Sequence, residues 1–248
     1  SQVLDQNNND SSNNGEVFIG TSTATYSAQI QGSYNQVVLS KVTSITNADP
    51  NNNGTAIPSG TQRAIAQFKF STAAANNLKN GTNKWTLSGV IFNVNATNVQ
   101  LGTGANLVTA SSVFKLYNKA DSTVKHTCTA AGTTVSGGGA SGSLVVTCAG
   151  LTTANTAKNN GTAVNTEIDP GTDATFVLQA DITNAKINIC STSSLHVSLQ
   201  SINDNPKAFS FSSSTSHIEW LDKDNSTTSR FRWIEYPETS VNGTSYNG

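Results

Sequence analysis

Apolar and polar residues alternate with a period of two along many short segments of this chain, and this pattern constrains the fold more than any other feature. In the segment 175–182, for example, Phe176, Leu178 and Ile182 fall on one side of an extended chain. Such alternation is typical of β-strands that bury one face. Asn-Gly pairs at positions 14, 53, 80, 160, 242 and 247 separate the segments, and this dipeptide favours tight turns between strands.

The number and spacing of these segments predict the fold class and the domain organisation. About ten short strands predict an all-β fold, namely an antiparallel β-sandwich or jelly-roll-like domain with an extended N-terminal arm. Residues 1–20 are the predicted polar arm and candidate donor strand, 21–214 the sandwich, and 215–248 a C-terminal strand pair packed on it. The bulky residues of the strands form the predicted core: Phe68, Phe70, Trp85, Phe92, Phe114, Leu116, Phe176, Leu178, Leu195, Val197 and Leu199.

Low charge excludes several classes of partner. Only 12% of the residues are charged and the formal net charge is -1, so the strongly basic surface that nucleic acids require is lacking. No apolar run is long enough to form a transmembrane helix, and we therefore expect no transmembrane segment.

The chain contains no Met and starts with Ser-Gln-Val. Together with the few thiols, these features predict a mature, secreted, extracellular chain from which a targeting peptide has been removed.

Two cysteines are placed symmetrically in the sequence. Cys128 and Cys148 lie at equal distances from Gly138, the central residue of a glycine-rich stretch. A hairpin that turns at Gly138 would place the two cysteines opposite each other and would pair Thr129 with Thr147. The spacing therefore predicts a cross-strand disulfide between Cys128 and Cys148.

The third cysteine, Cys190, has no partner left within the chain if that disulfide forms. A buried free thiol is the favoured interpretation, because free cysteines are among the most buried residues. A bridge to a second subunit is the alternative.

Few residues suit catalysis. The three histidines, His126, His196 and His217, are scattered without the spacing of metal ligands, and no nucleophile-elbow, phosphate-loop or dinucleotide motif occurs. Glu167 and Asp169 alternate on one face of a predicted strand, and such a pair can serve acid–base chemistry on a sugar. A solvated strand end before the Pro-Gly turn is the favoured interpretation of this pair. We therefore expect that the chain is not an enzyme.

One loop resembles the opening of a calcium-binding loop. Asp49, Asn51 and Asn53 precede a glycine with the oxygen-rich spacing that Ca²⁺ favours, but Gly60 occupies the position of the bidentate Glu. An ordinary turn stabilised by Asx side chains is the alternative. The expectation is a chain without a cofactor, in which this loop is the candidate Ca²⁺ site.

Seven Asn-X-Ser/Thr triplets make N-glycosylation chemically feasible. In a chain rich in Asn, Ser and Thr such triplets also arise by chance, so they permit glycans without indicating them. The candidate acceptors are Asn9, Asn53, Asn80, Asn95, Asn160, Asn225 and Asn242.

Five short blocks of sequence carry a family resemblance. They are IAQFKFSTA (65–73), WTLSGVIFNV (85–94), FKLY (114–117), IDPGTDATFVLQAD (168–181) and HIEWLDKD (217–224). In content and order they resemble modules of large β-rich surface proteins of candidate-phylum bacteria of the Patescibacteria type. The resemblance implies an extracellular, non-enzymatic β-sandwich and supplies no catalytic residues. Because those proteins are usually much longer, the length of this chain favours an independent small subunit.

Two functions compete at this point. The first is a structural subunit of an extracellular, pilus-like filament or surface layer, in which copies of the chain assemble by strand donation or docking. Val17, Phe18 and Ile19 are then the predicted docking residues, because they form the apolar segment near the end of the arm. The alternative is a cell-surface adhesin or carbohydrate-binding β-sandwich module whose partners are glycans. The fold class alone does not decide between them.

Overall fold

A computed structural model describes the chain over residues 3–5, 17–19, 29–30, 42–73, 85–102, 113–132, 141–151, 164–200, 218–222, 230–231 and 241–248. Within these ranges the protein is all-β, its strands pair antiparallel, and no α-helix occurs. The predicted all-β antiparallel fold class is therefore confirmed. The strands are β1 (Val3–Asp5), β2 (Val17–Ile19), β3 (Gln29–Ile30), β4 (Val42–Asn47), β5 (Gly60–Thr72), β6 (Trp85–Thr97), β7 (Gln100–Leu101), β8 (Phe114–Asn118), β9 (Asp121–Gly132), β10 (Ser141–Ala149), β11 (Glu167–Ile168), β12 (Asp173–Asn184), β13 (Ser194–Leu199), β14 (Ile218–Asp222), β15 (Arg230–Phe231) and β16 (Val241–Asn247).

The chain divides into two units. Ser1–Val38 form the first unit and Leu39–Gly248 form the second, which we call the body. The first unit contains a three-stranded antiparallel sheet in the order β1-β2-β3. The predicted boundaries at residues 20 and 214 remain predictions, as do the jelly-roll topology and the extended arm.

The body is one antiparallel sheet that nearly closes into a barrel. Its strands follow the order β4-β5-β12-β8-β9-β10-β6, and the second edge of β6 pairs with both β14 and β13. β16 pairs with β13, and β15 pairs with β14. β9 forms the corner, because its earlier residues pair with β8 whereas its last residues pair with β10. The predicted C-terminal strand pair thus contributes strands to the same sheet as the rest of the body.

Aromatic rings fill the space between the two walls of this barrel. Phe68 of β5 stacks on Phe92 of β6 with ring centroids 5.8 Å apart, and Phe70 of β5 meets Phe176 of β12 edge-on at 5.5 Å. All predicted core residues except Trp85, whose side chain lies outside the described part, are at most 1% exposed. The period-two pattern therefore identified the core correctly, because burial of one strand face is what produces that pattern.

Candidate functional sites

The predicted disulfide between Cys128 and Cys148 is present. The two Cα atoms are 4.4 Å apart, which is the spacing of directly opposed residues in an antiparallel pair. β9 and β10 pair in the predicted register, with Thr129 opposite Thr147, while Gly138 lies outside the described residues. Both cysteines are fully buried, and the bridge therefore fastens the corner strand β9 to β10 from within the core.

Removing this bridge tests its contribution to stability. The double variant Cys128→Ala/Cys148→Ala is expected to lower the free energy of unfolding by about 3 kcal/mol, because the bridge closes a loop of 20 residues in the unfolded chain. Chemical unfolding without reductant measures the change. Cys190→Ser is the matched control and should alter stability by less than about 0.5 kcal/mol, since that thiol is free and exposed. An equal loss in both proteins would contradict a specific role of the bridge.

The favoured interpretation of Cys190 as a buried thiol is wrong. Cys190 lies in a turn outside the sheet, where its backbone N–H donates to Asn188 Oδ1 at 3.0 Å and its side chain is exposed. The buried side chain of Asn98 holds this turn, because its Nδ2 donates to the carbonyls of Asn188 and Ser191. Sequence composition could not reveal this anchor, since Asn98 is 90 residues from Asn188. The intersubunit bridge remains a prediction.

The segment 47–55 approaches β16 where the barrel nearly closes. Gly54 N–H donates to the Ser245 carbonyl at 2.7 Å, and Asn247 N–H donates to the Thr55 carbonyl at 3.0 Å. The fully buried Thr244 donates its hydroxyl to the Asp49 carbonyl at 2.8 Å. These bonds join two parts of the chain that are almost 200 residues apart in sequence, so the segment acts as a closing clip.

Further hydrogen bonds in this segment involve two of the candidate calcium ligands, Asp49 and Asn53. One carboxylate oxygen of Asp49 accepts hydrogen bonds from Gln67 Nε2 at 3.1 Å and from Asn52 Nδ2. Asn53 Oδ1 accepts from the Ser245 N–H at 2.8 Å, and Asn51 is exposed. In the described ranges no group of three or more His, Cys, Asp and Glu side chains could hold a metal. The protein's own donors thus bond to Asp49 and Asn53, and Ca²⁺ binding by this loop remains a prediction.

Thr244 and Asp49 offer a direct test of the closing clip. Thr244→Val keeps the shape of the side chain but leaves the Asp49 carbonyl without this donor, so we expect a loss of about 1–3 kcal/mol in the free energy of unfolding. Thr43→Val is the matched control, because the Thr43 hydroxyl also donates to a carbonyl, that of Ser71, but in an exposed position. Thermal unfolding of both variants measures the loss of stability. Equal losses would show that the buried Thr244 hydroxyl stabilises the body no more than the exposed Thr43 hydroxyl does.

A polar cavity of about 450 Å³ opens between the β8–β9 turn, β11 and the start of β12. Glu167 and Asp169, the carboxylate pair noted in the sequence, both line it, together with Asp173. A hydrogen bond from Ser71 and the ammonium of Lys69, 3.5 Å away, hold the pKa of Asp173 below its usual value. The remaining lining residues are Asn118, Lys119, Ala120, Asn165, Ile168, Thr172, Ala174 and Thr175.

The lining of this cavity suits hydrogen bonding to hydroxyl groups. Carboxylates accept, the Lys119 ammonium donates, and the amides of Asn118 and Asn165 do both. The Asn118 amide is itself fixed, because it donates to the Asn165 carbonyl at 2.7 Å and accepts from the Ala120 N–H at 3.0 Å. No aromatic side chain of the described ranges lines the cavity.

The histidines do not converge. His196 Nδ1 lies 2.7 Å from Ser245 Oγ on the outer surface of β13 and β16. His126 is half-buried on β9, and burial lowers the pKa of its imidazole. His217 lies outside the described residues. No pair of these side chains therefore forms a metal site within the described part of the chain.

Three candidate glycosylation positions can be placed. Asn53 lies within the closing clip, Asn95 on β6 and Asn242 on β16, and all three are exposed. The other four, Asn9, Asn80, Asn160 and Asn225, lie outside the described residues.

The predicted docking residues Val17, Phe18 and Ile19 form the whole of β2. β2 is the middle strand of the N-terminal sheet, with Leu4 of β1 opposite Phe18 on one edge and Gln29 of β3 opposite it on the other. A donated β2 would therefore have to exchange one of these partners for a strand of another subunit.

Within the residues that the structure covers, no helix is long and apolar enough to cross a membrane. No protein-family model matches the chain, and no curated protein matches it.

Proposed function

We propose that this chain is a structural subunit of an extracellular, pilus-like filament or surface layer, and that copies of it assemble by strand donation or docking. The observation that carries the proposal is the division of the chain at Val38 into an N-terminal unit and a body. The body contains the core described above, whereas the described residues of the N-terminal unit form strands of two or three residues.

The N-terminal unit is too small to be stable by itself. Chains of fewer than about 40 residues rarely bury enough apolar surface to fold without additional support. Its outer strands β1 and β3 each pair on one edge only, as far as the described residues extend. A strand with an open edge is a template for pairing with another chain. Pairing with a second copy would supply the missing hydrogen bonds and burial.

An extracellular location accords with the buried bridge between Cys128 and Cys148. Disulfides persist in oxidising compartments and are rare in the cytosol. Only 12% of the residues are charged and the formal net charge is -1, which supports self-assembly because copies of the chain repel one another only weakly.

Electron microscopy and sedimentation of the purified full chain test this function. We expect ordered filaments or sheets to form without any added ligand as the protein concentration rises. A chain that sediments as a monomer at every concentration up to the millimolar range would contradict the proposal.

The polar cavity favours a second candidate, a glycan-binding adhesin module. Its carboxylates and amides have the donor and acceptor mixture that sugar hydroxyls require. Retention on a glycan array by the wild type, with loss in Glu167→Gln/Asp169→Asn and no loss in the distant Asn242→Ala, would support it. Equal retention of all three proteins would exclude this cavity as the binding site.

A further inference from the structure

Positive charge is distributed unevenly over the body. The β8–β9 hairpin bears Lys115, Lys119 and Lys125, which we call the basic face. By contrast, β6, β10, β13 and β16 contain neither Lys nor Arg. Since the neighbours of Lys115 along the strand are fully buried, Lys115 itself must point away from the core.

Two of the three ammonium groups of the basic face, those of Lys119 and Lys125, have neutral partners. Lys119 Nζ donates to Gln67 Oε1 at 2.9 Å, and Lys125 Nζ donates to Gln62 Oε1 at 2.7 Å. Lys125 also lies over the ring of Tyr117, 5.7 Å from its centroid. Among the described residues no carboxylate forms an ion pair with any of the three lysines.

Three carboxylates near the basic face, those of Asp121, Asp173 and Asp181, have other partners. Asp173 pairs with Lys69 at 3.5 Å, and Asp181 accepts from the Gln62 N–H at 2.7 Å. Asp121 accepts from both the N–H and the hydroxyl of Thr123, which lowers the pKa of its carboxyl group. The basic face thus presents three cations to which a carboxylate from outside could bind more strongly than the neutral glutamine oxygens do.

The N-terminal unit has the complementary charge. Residues 1–38 include Asp5, Asp10 and Glu16 but no Lys, Arg or His, and the first cation of the chain is Lys41. The three carboxylates lie within the segment that the proposed assembly requires to reach another subunit. Opposite charges on two surfaces guide their association and fix which surfaces meet.

We propose that the acidic segment 5–16 of one copy docks on the basic face of a second copy. This inference rests on the proposed self-assembly and names the surface that receives the N-terminal segment. The charges set the orientation of the incoming segment, while strand pairing and the apolar residues of β2 supply most of the affinity. Since exposed charges are screened over about 8–10 Å, docking weakens as salt rises.

Zero-length cross-linking of the full chain tests the docking. Equal amounts of unlabelled and ¹⁵N-labelled protein are mixed, treated with a carbodiimide and analysed by mass spectrometry. We expect amide links between Asp5, Asp10 or Glu16 and the lysines of the basic face, with about half of the links joining one labelled and one unlabelled chain. Links that join only chains of the same label would show docking within one molecule and would overturn the proposal. The absence of any link between these three carboxylates and the basic face would also overturn it.

Charge exchange provides the matched controls. The double variant Lys115→Glu/Lys125→Glu retains Lys119 as the only lysine of the basic face. It should lower the yield of mixed-label links between the N-terminal carboxylates and Lys119 about tenfold, which corresponds to a loss of 1.4 kcal/mol in binding free energy. Mixing this double variant with the triple variant Asp5→Lys/Asp10→Lys/Glu16→Lys should restore links between the two chains. Lys186→Glu, outside the basic face, should leave the yield unchanged, and circular dichroism checks that each variant folds. An unchanged yield in the double variant would overturn the proposal.

This readout separates the docking from the filament. Mixed-label links in a protein that forms no filaments or layers would retain the docking and reject the proposed function. Filaments without these links would retain the function and reject the basic face as the receiving surface.

Discussion

Phe176→Ala is expected to lower the free energy of unfolding of the body by about 3–5 kcal/mol. Phe176 lies on β12, which pairs with β5 on one edge and with β8 on the other, so its ring is in the middle of one wall. It is 1% exposed and meets the ring of Phe70 at 5.5 Å. Truncation removes this contact and leaves a cavity that paired strands on both sides cannot close.

Chemical unfolding followed by circular dichroism measures this effect. Phe176→Leu is the graded control, because it retains most of the buried apolar volume and should cost less than half as much. The dependence of the unfolding free energy on denaturant should stay the same in both variants if the native fold is kept. A change near zero for Phe176→Ala would mean that the phase of β12, and with it the core, is wrong.

Local pattern was sufficient to predict the core and one hairpin. Alternation along β12 and β13 identified buried residues because each strand buries one face. The symmetry of Cys128 and Cys148 about Gly138 predicted the disulfide and the pairing of Thr129 with Thr147, because a covalent bridge between strands requires closely opposed residues. The alternation along β6 also changes phase at Gly89, and the β14–β6 ladder shifts register between the partners of Leu87 and Gly89.

Long-range features could not be predicted in this way. Nothing in the sequence of β12 indicates that it lies between β5 and β8, because strand order depends on the packing of the whole sheet. Asp49 and Asn53 suggested calcium because their spacing is visible in the sequence, whereas Gln67 and Ser245, which bond to them, lie 18 and 192 residues away. The basic face was likewise hidden, since it emerges only when β8 and β9 place their lysines on one surface.

Deletion of residues 1–20 is expected to abolish assembly while the body stays folded. The deletion removes β1 and β2 and the three N-terminal carboxylates, but it leaves the body and its buried core intact. The free energy of unfolding of the body should therefore change by less than about 0.5 kcal/mol. Sedimentation and electron microscopy should then show a folded monomer at concentrations at which the full chain assembles.

Two substituted chains divide this effect between apolar contact and charge. Val17→Ser/Phe18→Ser/Ile19→Ser removes the apolar side chains of β2 and should prevent assembly at any salt concentration, because hydrophobic contact is not screened. Asp5→Asn/Asp10→Asn/Glu16→Gln removes only charge, and it should slow assembly at low salt while converging on the wild type at high salt. Filaments of normal appearance from the truncated chain would show that the body assembles through its own surfaces. In that case the seam between β4 and β16, where the barrel nearly closes, would be the next place to look for the contact between subunits.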